Sequence, residues 1–301
     1  MYEEFKERLR STISTGIIEN ELMNRHTTFK VGGPCSVFIS PEIEQIPSVL
    51  KLCKEYNVPY LIIGRGSNIL VADKGYNGLV IEMGESNRQI TVNGTAITAG
   101  AGATLAAVAM IAYENGLAGF EFASGIPGSI GGGLFMNAGA YGGEMKDVAV
   151  SADAIDEEGN FVAISADEMD LSYRHSRFMN DNLIITSVTI NLTEGNKDEI
   201  KALMDDYNGR RKEKQPLNYP SAGSFFKRPE GNFAGKLIED AGLKGLRVGG
   251  AQVSSKHCGF IVNVDNATSD DIIKLMNEVQ DEVKAQFGIA LEPEVKLIGE
   301  F

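Results

Sequence analysis

The chain has 301 residues, 43% of them hydrophobic and 23% charged, which allows one large domain or two to three smaller ones around a sizeable core. A net charge of -13 argues against broad electrostatic binding to nucleic acid or to an anionic membrane, and no apolar run approaches the ~18 residues of a membrane span. Cys35, Cys53 and Cys258 are odd in number, far apart and in no CxxC, so neither a disulfide framework nor a zinc site is expected, and a reducing cytoplasm fits.

The opening MYEEFKERLR carries both signs of charge with no apolar segment behind it, unlike a signal peptide. From Pro41, Ile43, Ile46, Val49, Leu50 and Cys53 form one helical stripe. The runs YLIIG (60–64) and GLVIEM (78–83) read as buried strands. QITVNGTAITAG holds Asn93-Gly94 between alternating apolar residues, a strong hairpin signal. Thr104 then caps an apolar helix that stops at Gly116. A second hairpin turns at Glu158-Gly159, Ser165 and Glu168 form a capping box, and a long strand ends near Leu192. The polar patch EGNKDE (194–199) marks a domain boundary. Beyond it come a helix with Ile200, Leu203, Met204 and Tyr207, and a helix capped by Thr268 and Asp271 that ends at Gly288. The strand IALEPEVKLI closes the chain. The pattern is α+β in at least two lobes and not a regular βαβ series.

Five stretches carry chemistry. In SGIPGSIGGGLFMNAGAYGG (124–143) eight of twenty residues are glycine, interleaved with large apolar side chains. Such spacing suits neither a linker nor a regular element. Successive bare N–H groups there would make a nest for a diphosphate, with positive φ expected at Gly132; a packed turn without a ligand is the other reading. IIGRGSN (62–68) ends a strand in Gly-x-Gly with hydroxyl and amide donors added. Ile69 stands where a dinucleotide fingerprint wants glycine, and no helix follows, so a Rossmann site is disfavoured. LSYRHSRF (171–178) places Arg174 and Arg177 three apart, on one face if helical, with guanidinium forks suited to a carboxylate or phosphate. RRKEKQPLNYPSAGSFFKRP (210–229) sets six cations around Ser221 and Ser224 against the acidic background. LEPEVKLI (291–298) alternates Leu291, Val295 and Leu297 against Glu292, Glu294 and Lys296 at a sheet edge marked by Pro293. The histidines, His26, His175 and His257, have no metal-ligand spacing, and no metal site is expected.

As a set, IIGRGSNILVAD, ASGIPGSIGGGLFMNAGAYG, YRHSRF, PSAGSFFKRP, AGKLIEDAGLKG, GGAQVSSKH, GFIVN and LEPEV resemble one family, the UDP-N-acetylenolpyruvoylglucosamine reductases, in the short form without an extra loop over the substrate. The resemblance runs from about Phe29 to the C-terminus. It implies an α+β fold with a two-part FAD-binding region of the vanillyl-alcohol-oxidase type over 1–193, split near 83, and a C-terminal α+β substrate domain over 194–301. It implies non-covalent FAD held by Gly64, Arg65, Gly66, Ser67, Asn68, Ser124, Gly125, Ile126, Gly128, Ser129, Gly131 and Gly132, with NADPH as co-substrate. Arg174 and Glu294 match the residues implied to stabilise an enolate-like intermediate, and Ser224 the serine implied to deliver the final proton. An ionised Glu294 would repel the developing charge, so it acts protonated or by orienting Arg174 or a water. Lys214, Lys227 and Arg228 would meet the UDP moiety. Arg228 departs from the family form FKNP. Implied partners are a UDP-sugar and NADPH, with no nucleic acid, membrane or obligate protein partner, in the cytoplasm. An FAD oxidase of the same fold, and a flavin-binding module without chemistry, are the alternatives.

Overall fold

The computed structural model describes residues 2–301. The chain forms two compact units. The first takes residues 1–18, 37–65 and 78–211, and the second 19–36, 66–77 and 212–301. The expected functional limit at 193/194 therefore lies inside the first unit. By compactness the chain divides after Arg211, and two N-terminal segments count with the second unit. The cause is the helix Lys197–Lys214. Its Ile200 and Met204 are buried in the first unit's core, so the polar patch before it leads into a helix that belongs to that unit by compactness.

In the first unit, Tyr60–Ile63 pairs in parallel with Tyr76–Glu82. The helices Tyr2–Thr12 and Ile46–Tyr56 bury Phe5, Leu9, Val49, Leu52 and Cys53 with Val37, Ile39, Leu79 and Ile81. The stripe read from sequence begins as a 3₁₀ turn, Ile43–Gln45, and becomes α-helical at Ile46, where Pro47 fits the first turn. A five-stranded antiparallel sheet runs in the order Phe161–Ser165, Ala149–Ile155, Ile184–Asn191, Ala96–Gly100, Ile90–Asn93. Both hairpins turn where expected. The helix Leu105–Glu114 covers this sheet, with the Thr104 hydroxyl accepting from Ala107 N–H.

In the second unit, Arg247–Val248, Ala251–Val253 and Ile261–Asn263 form a small antiparallel sheet against the helix Ser269–Phe287. That helix has the expected capping box at Thr268 and Asp271, and Gly288 in the left-handed conformation after its end. The expected closing strand is shorter than the alternation suggests. Only Lys296–Ile298 is regular strand, parallel to Ile69–Val71, and Leu297 is 41% exposed where burial is expected. Leu291 and Val295 are buried as read. Among the described residues, no helix is long and apolar enough to cross a membrane.

Candidate active site

The first unit joins two glycine-rich runs that lie far apart in sequence. A Cβ at Gly64 would collide with Ser129 Oγ, so the end of the strand Tyr60–Ile63 approaches the second loop as only glycine permits. The second run is not irregular throughout. Ile130–Phe135 is a short helix, N-capped by Ser129, whose Oγ accepts from Gly132 N–H at 3.3 Å. Gly132 is therefore helical, and the expected positive φ is absent; the left-handed glycine of the stretch is Gly142. Glycines fit this helix because it is jammed against small-residue backbone. Gly131 N–H donates to the Ala101 carbonyl, and a Cβ on Gly131 would stand 2.6 Å from the Ala101 Cβ. Ile130 N–H donates to Ala103 and Leu105 N–H to Gly128. Sequence reasoning misses this partner, although AGAGAT (99–104) advertises it by lacking every large side chain.

Two residues one turn apart on the helix Lys197–Lys214 close the loop's other end. Asn208 Nδ2 donates to Ser124 Oγ at 3.2 Å, and Arg211 packs over Gly125. Burial pushes the Arg211 guanidinium below its usual range, partly offset by the Tyr141 hydroxyl. Tyr141 stacks on Tyr207 with ring centroids 4.5 Å apart.

The same stretch positions Arg174. Asn137, fully buried at φ +41, donates from Nδ2 to the Ser172 carbonyl at 2.9 Å and to Glu144 at 2.7 Å. Ser176 Oγ donates to the Phe135 carbonyl at 2.7 Å. Between these two anchors the chain makes a tight turn in which Ser172 and His175 exchange backbone bonds and Arg174 sits at φ +54. The guanidinium lies over the Tyr173 ring, 5.1 Å from its centroid. Arg174 and Arg177 do not share a helical face. Arg177 opens a 3₁₀ turn and pairs with Asp181 at 2.5 Å, which raises its pKa.

The second unit brings together Ser224, Glu294 and Asn68. Glu294 N–H donates to the Phe225 carbonyl, Lys227 N–H to the Glu292 carbonyl, and Phe226 bridges Pro293 antiparallel. The serine of the AGS run and the glutamate of LEPEV, seventy residues apart, thus lie on paired segments. Gly223 at φ +80 makes the bend that leaves Ser224 exposed. Asn68 Nδ2 donates to the Glu294 carbonyl at 3.2 Å, and Lys296 N–H donates to the Asn68 carbonyl. The Asn68 amide thus braces the glutamate's segment through one of its donors. Gly66 passes against the His26 carbonyl and accepts from Thr28 N–H, while Thr28 Oγ1 donates to the Ser221 carbonyl at 2.7 Å. Lys227 pairs with Glu292 at 3.1 Å. Lys214 ends its helix beside Lys212, whose carbonyl accepts from Lys256 Nζ. Among the described residues, no group of three or more histidine, cysteine or carboxylate side chains could hold a metal.

Comparison with known proteins follows the same division of labour. An FAD binding domain model matches residues 35–165, and the C-terminal domain model of UDP-N-acetylenolpyruvoylglucosamine reductase matches residues 215–298. The reductase of that name from Agathobacter rectalis is 51% identical over 298 residues, 95% of each chain. The chain belongs to this reductase family. Its member from Caldanaerobacter subterraneus is 48% identical over the full length of both chains. The crystal structure of the reductase from Thermus caldophilus superposes with a TM-score of 0.81 at 33% identity, covering 95% of this chain and all of that one. The expected fold class holds, an α+β FAD-binding region followed by an α+β C-terminal domain. FAD is the cofactor the family's fold takes. The residues present fit it: Gly132 is exposed, with only Ser129 Oγ within 4 Å of where a Cβ would stand, so bare backbone faces open space there, and Gly64 brings its strand end against Ser129 more closely than any Cβ would allow.

Proposed function

We propose that the protein reduces the enolpyruvyl group of UDP-N-acetylglucosamine enolpyruvate to give UDP-N-acetylmuramic acid, a peptidoglycan precursor, with NADPH as co-substrate. The observation that carries this reading is the end-to-end match to reductases of that name, through the FAD-binding model and the C-terminal model together. An oxidase of the same fold, or a module without chemistry, would leave the paired AGS and LEPEV segments without work.

Held by the runs Gly64–Asn68 and Ser124–Gly132, FAD would supply the redox chemistry, carrying a hydride from NADPH to the enolpyruvyl double bond. The chain's own residues hold the substrate and manage the charge and proton that follow. Hydride addition at one carbon leaves an electron pair on the carbon next to the carboxylate, delocalised onto its oxygens. Arg174, fixed in its turn by Asn137 and Ser176, offers a planar cation to those oxygens and stabilises them by Coulomb attraction and hydrogen bonds. Ser224 Oγ–H gives its proton to the carbon, and the serine is reprotonated from water. A hydroxyl is a weak acid, but the carbanion is a strong base, and the Lys227 side of the segment eases the transfer. Glu294 acts in its protonated form or by orienting a water.

Lys214, Lys227 and Arg228 contact the UDP moiety, and the glycine runs, Gly64–Asn68 and Ser124–Gly132, hold the FAD diphosphate. The FAD-binding region is assigned to 1–193, in two parts meeting near 83, and the substrate region to 194–301. The three cysteines are free and buried, in keeping with a cytoplasmic site of action. NADPH oxidation measured with and without the enolpyruvyl substrate tests the assignment. The expected result is a yellow protein whose NADPH oxidation depends on that substrate. Equal rates without it, or turnover of a small alcohol with oxygen, would point to the oxidase.

A further inference from the structure

His257 lies in SSKHCGF (254–260), the turn between the strands Ala251–Val253 and Ile261–Asn263. The turn is closed by its own backbone. Ser254 N–H donates to the Phe260 carbonyl, and Phe260 N–H to the His257 carbonyl. The buried Ser254 hydroxyl oxygen accepts from Lys256 N–H at 3.1 Å and from His257 N–H at 3.3 Å. The imidazole is wedged in place. Its Cε1 would stand 3.2 Å from a Cβ on Gly235 and 3.0 Å from one on Gly259. Its centroid is 5.1 Å from that of the Phe260 ring, edge to face.

Gly259 N–H donates to His257 Nδ1 at 3.1 Å. A backbone N–H only donates, so Nδ1 carries no proton, and the ring is the neutral tautomer protonated on Nε2. The same glycine reaches the AGS run, because its carbonyl accepts from Phe225 N–H at 2.8 Å. That N–H belongs to the peptide plane joining Ser224 to Phe225. The bond therefore orients the Ser224 backbone on one side, as Gly223 at φ +80 does on the other. Burial pushes the imidazole below its ordinary value, against the pull of Glu239, so the ring is neutral at neutral pH. Protonation would place a hydrogen on Nδ1 facing the Gly259 N–H. Two donors would then meet, and the bond would be lost.

We infer that neutral His257 is a positioning residue for Ser224, holding Gly259 so that its carbonyl fixes the peptide that presents the hydroxyl. This rests on the proton-donor role proposed for Ser224.

Other charged and titratable groups surround the ring. On the helix Ala234–Asp240, Glu239 pairs with Lys244 at 2.9 Å, and Lys236 pairs with Asp240. In the turn itself, Lys256 Nζ donates to the Lys212 carbonyl, and burial raises the Cys258 thiol. On the segment that Ser224 opens, Lys227 pairs with Glu292 at 3.1 Å. The test must cancel all of these, which a ratio between two proteins does.

His257→Asn keeps an acceptor that cannot titrate, because an asparagine Oδ1 takes the N–H two residues on. His257→Leu keeps apolar bulk and loses the acceptor. Stopped-flow flavin absorbance follows reduction by NADPH and reoxidation by the enolpyruvyl substrate between about pH 5 and pH 8. At neutral pH His257→Leu should slow reoxidation by about 10- to 100-fold, the cost of misplacing a reacting group, while reduction keeps its rate. His257→Asn should recover most of that loss. The wild-type reoxidation rate divided by that of His257→Asn should fall as pH falls and the imidazole protonates. ¹⁵N NMR of histidine-labelled protein reads the tautomer without turnover and should find Nδ1 bare at neutral pH. A proton on Nδ1, a ratio that ignores pH, or wild-type reoxidation in His257→Leu overturns the inference. The ratio and the NMR measurement decide it if His257→Leu does not fold. The donor role fails differently, by wild-type reoxidation in Ser224→Ala. A stalled Ser224→Ala beside an unimpaired His257→Leu would leave the donor role standing and remove His257 alone.

Discussion

Arg174 occupies a conformation that ordinary side chains avoid, at φ +54, and it is held there by hydrogen bonds that belong to other residues. Buried Asn137 and buried Ser176 hold the turn on either side and so keep Arg174 in the left-handed region, which suits the role proposed for its guanidinium. Arg174→Lys should retain a full complement of FAD and lose turnover by about 10- to 150-fold, the equivalent of one charge-assisted hydrogen bond of roughly 1.5–3 kcal/mol. Near-normal turnover in that variant would remove Arg174 from the chemistry. Ser224 is tested by separating the half-reactions. Ser224→Ala should be reduced by NADPH at the wild-type rate, because that step needs no proton from a serine. Its reoxidation by the enolpyruvyl substrate should slow by about 10²–10⁴-fold, the usual loss of a positioned acid. Stopped-flow absorbance of the flavin follows both steps, and a variant slowed only in reduction would make the cationic segment a binding element alone.

Two elements show what a sequence can and cannot disclose. The helix Ser269–Phe287 is legible end to end, because Thr268, Asp271, the apolar stripe and Gly288 are local signals that all agree. The helix Ile130–Phe135 is not, because three consecutive glycines have no helical propensity and their reason lies elsewhere, in the bare backbone of Ala101 and Ala103. The same gap hides the turn around Arg174, whose anchors are 35 and 41 residues away in sequence. Gly131→Val should therefore yield little folded protein, since its Cβ would strike Ala101. Gly132→Ala should fold at least as well as the wild type, because its Cβ meets only Ser129 Oγ at 3.3 Å and alanine is the better helix former. The flavin-to-protein absorbance ratio of folded Gly132→Ala then reports whether FAD touches that backbone; a full complement would place the contact elsewhere. The capping box gives a pH test. Burial by itself would raise the Asp271 carboxyl, but hydrogen bonds from Thr268 and Gly250 outweigh it and hold the pKa below the ordinary carboxylate value. A depressed carboxyl stabilises above its unfolded pKa, and the contribution is lost as pH falls through the folded one. Asp271→Asn should lower stability at neutral pH by about 1 kcal/mol, and the difference should shrink as pH falls through the carboxylate range. A difference that stays constant with pH would mean the ionised form is not what caps the helix.

At the scale of the whole molecule, the chain's order and its compact units do not coincide. Residues 19–36 and 66–77 pack with residues from 212 onward, through Phe29, Val31 and Leu70. No composition shift announces this, because those contacts join segments about two hundred residues apart and each segment alone reads as an ordinary loop or strand. The runs proposed for function stand out as motifs because their glycines, arginines and serine are chemically unusual where they stand; their partners do not, because backbone-to-backbone approach leaves few marks in side-chain pattern. The free cysteines report on each unit separately. Burial pushes the Cys53 thiol up to about 12 and the Cys35 thiol up to about 11, so neither is a useful nucleophile while its unit stays closed. Cys53 lies in the first unit's core with Val49, Leu52, Leu79 and Ile81. Its reaction with a thiol reagent must therefore wait for that unit to open. FAD binds the closed form, so it should lower the open population by the factor 1 + [FAD]/Kd, about 100-fold at 100 times Kd. Flavin-free protein at mildly alkaline pH should label at Cys53 at a rate set by opening, and adding FAD should slow that labelling in step with occupancy. Peptide mapping separates Cys53 from Cys35 and Cys258. Labelling of Cys53 that ignores FAD would mean that cofactor binding does not draw on the stability of the unit holding Gly64 and the helix Ile130–Phe135, and the cradle assigned to FAD there would have to be given up.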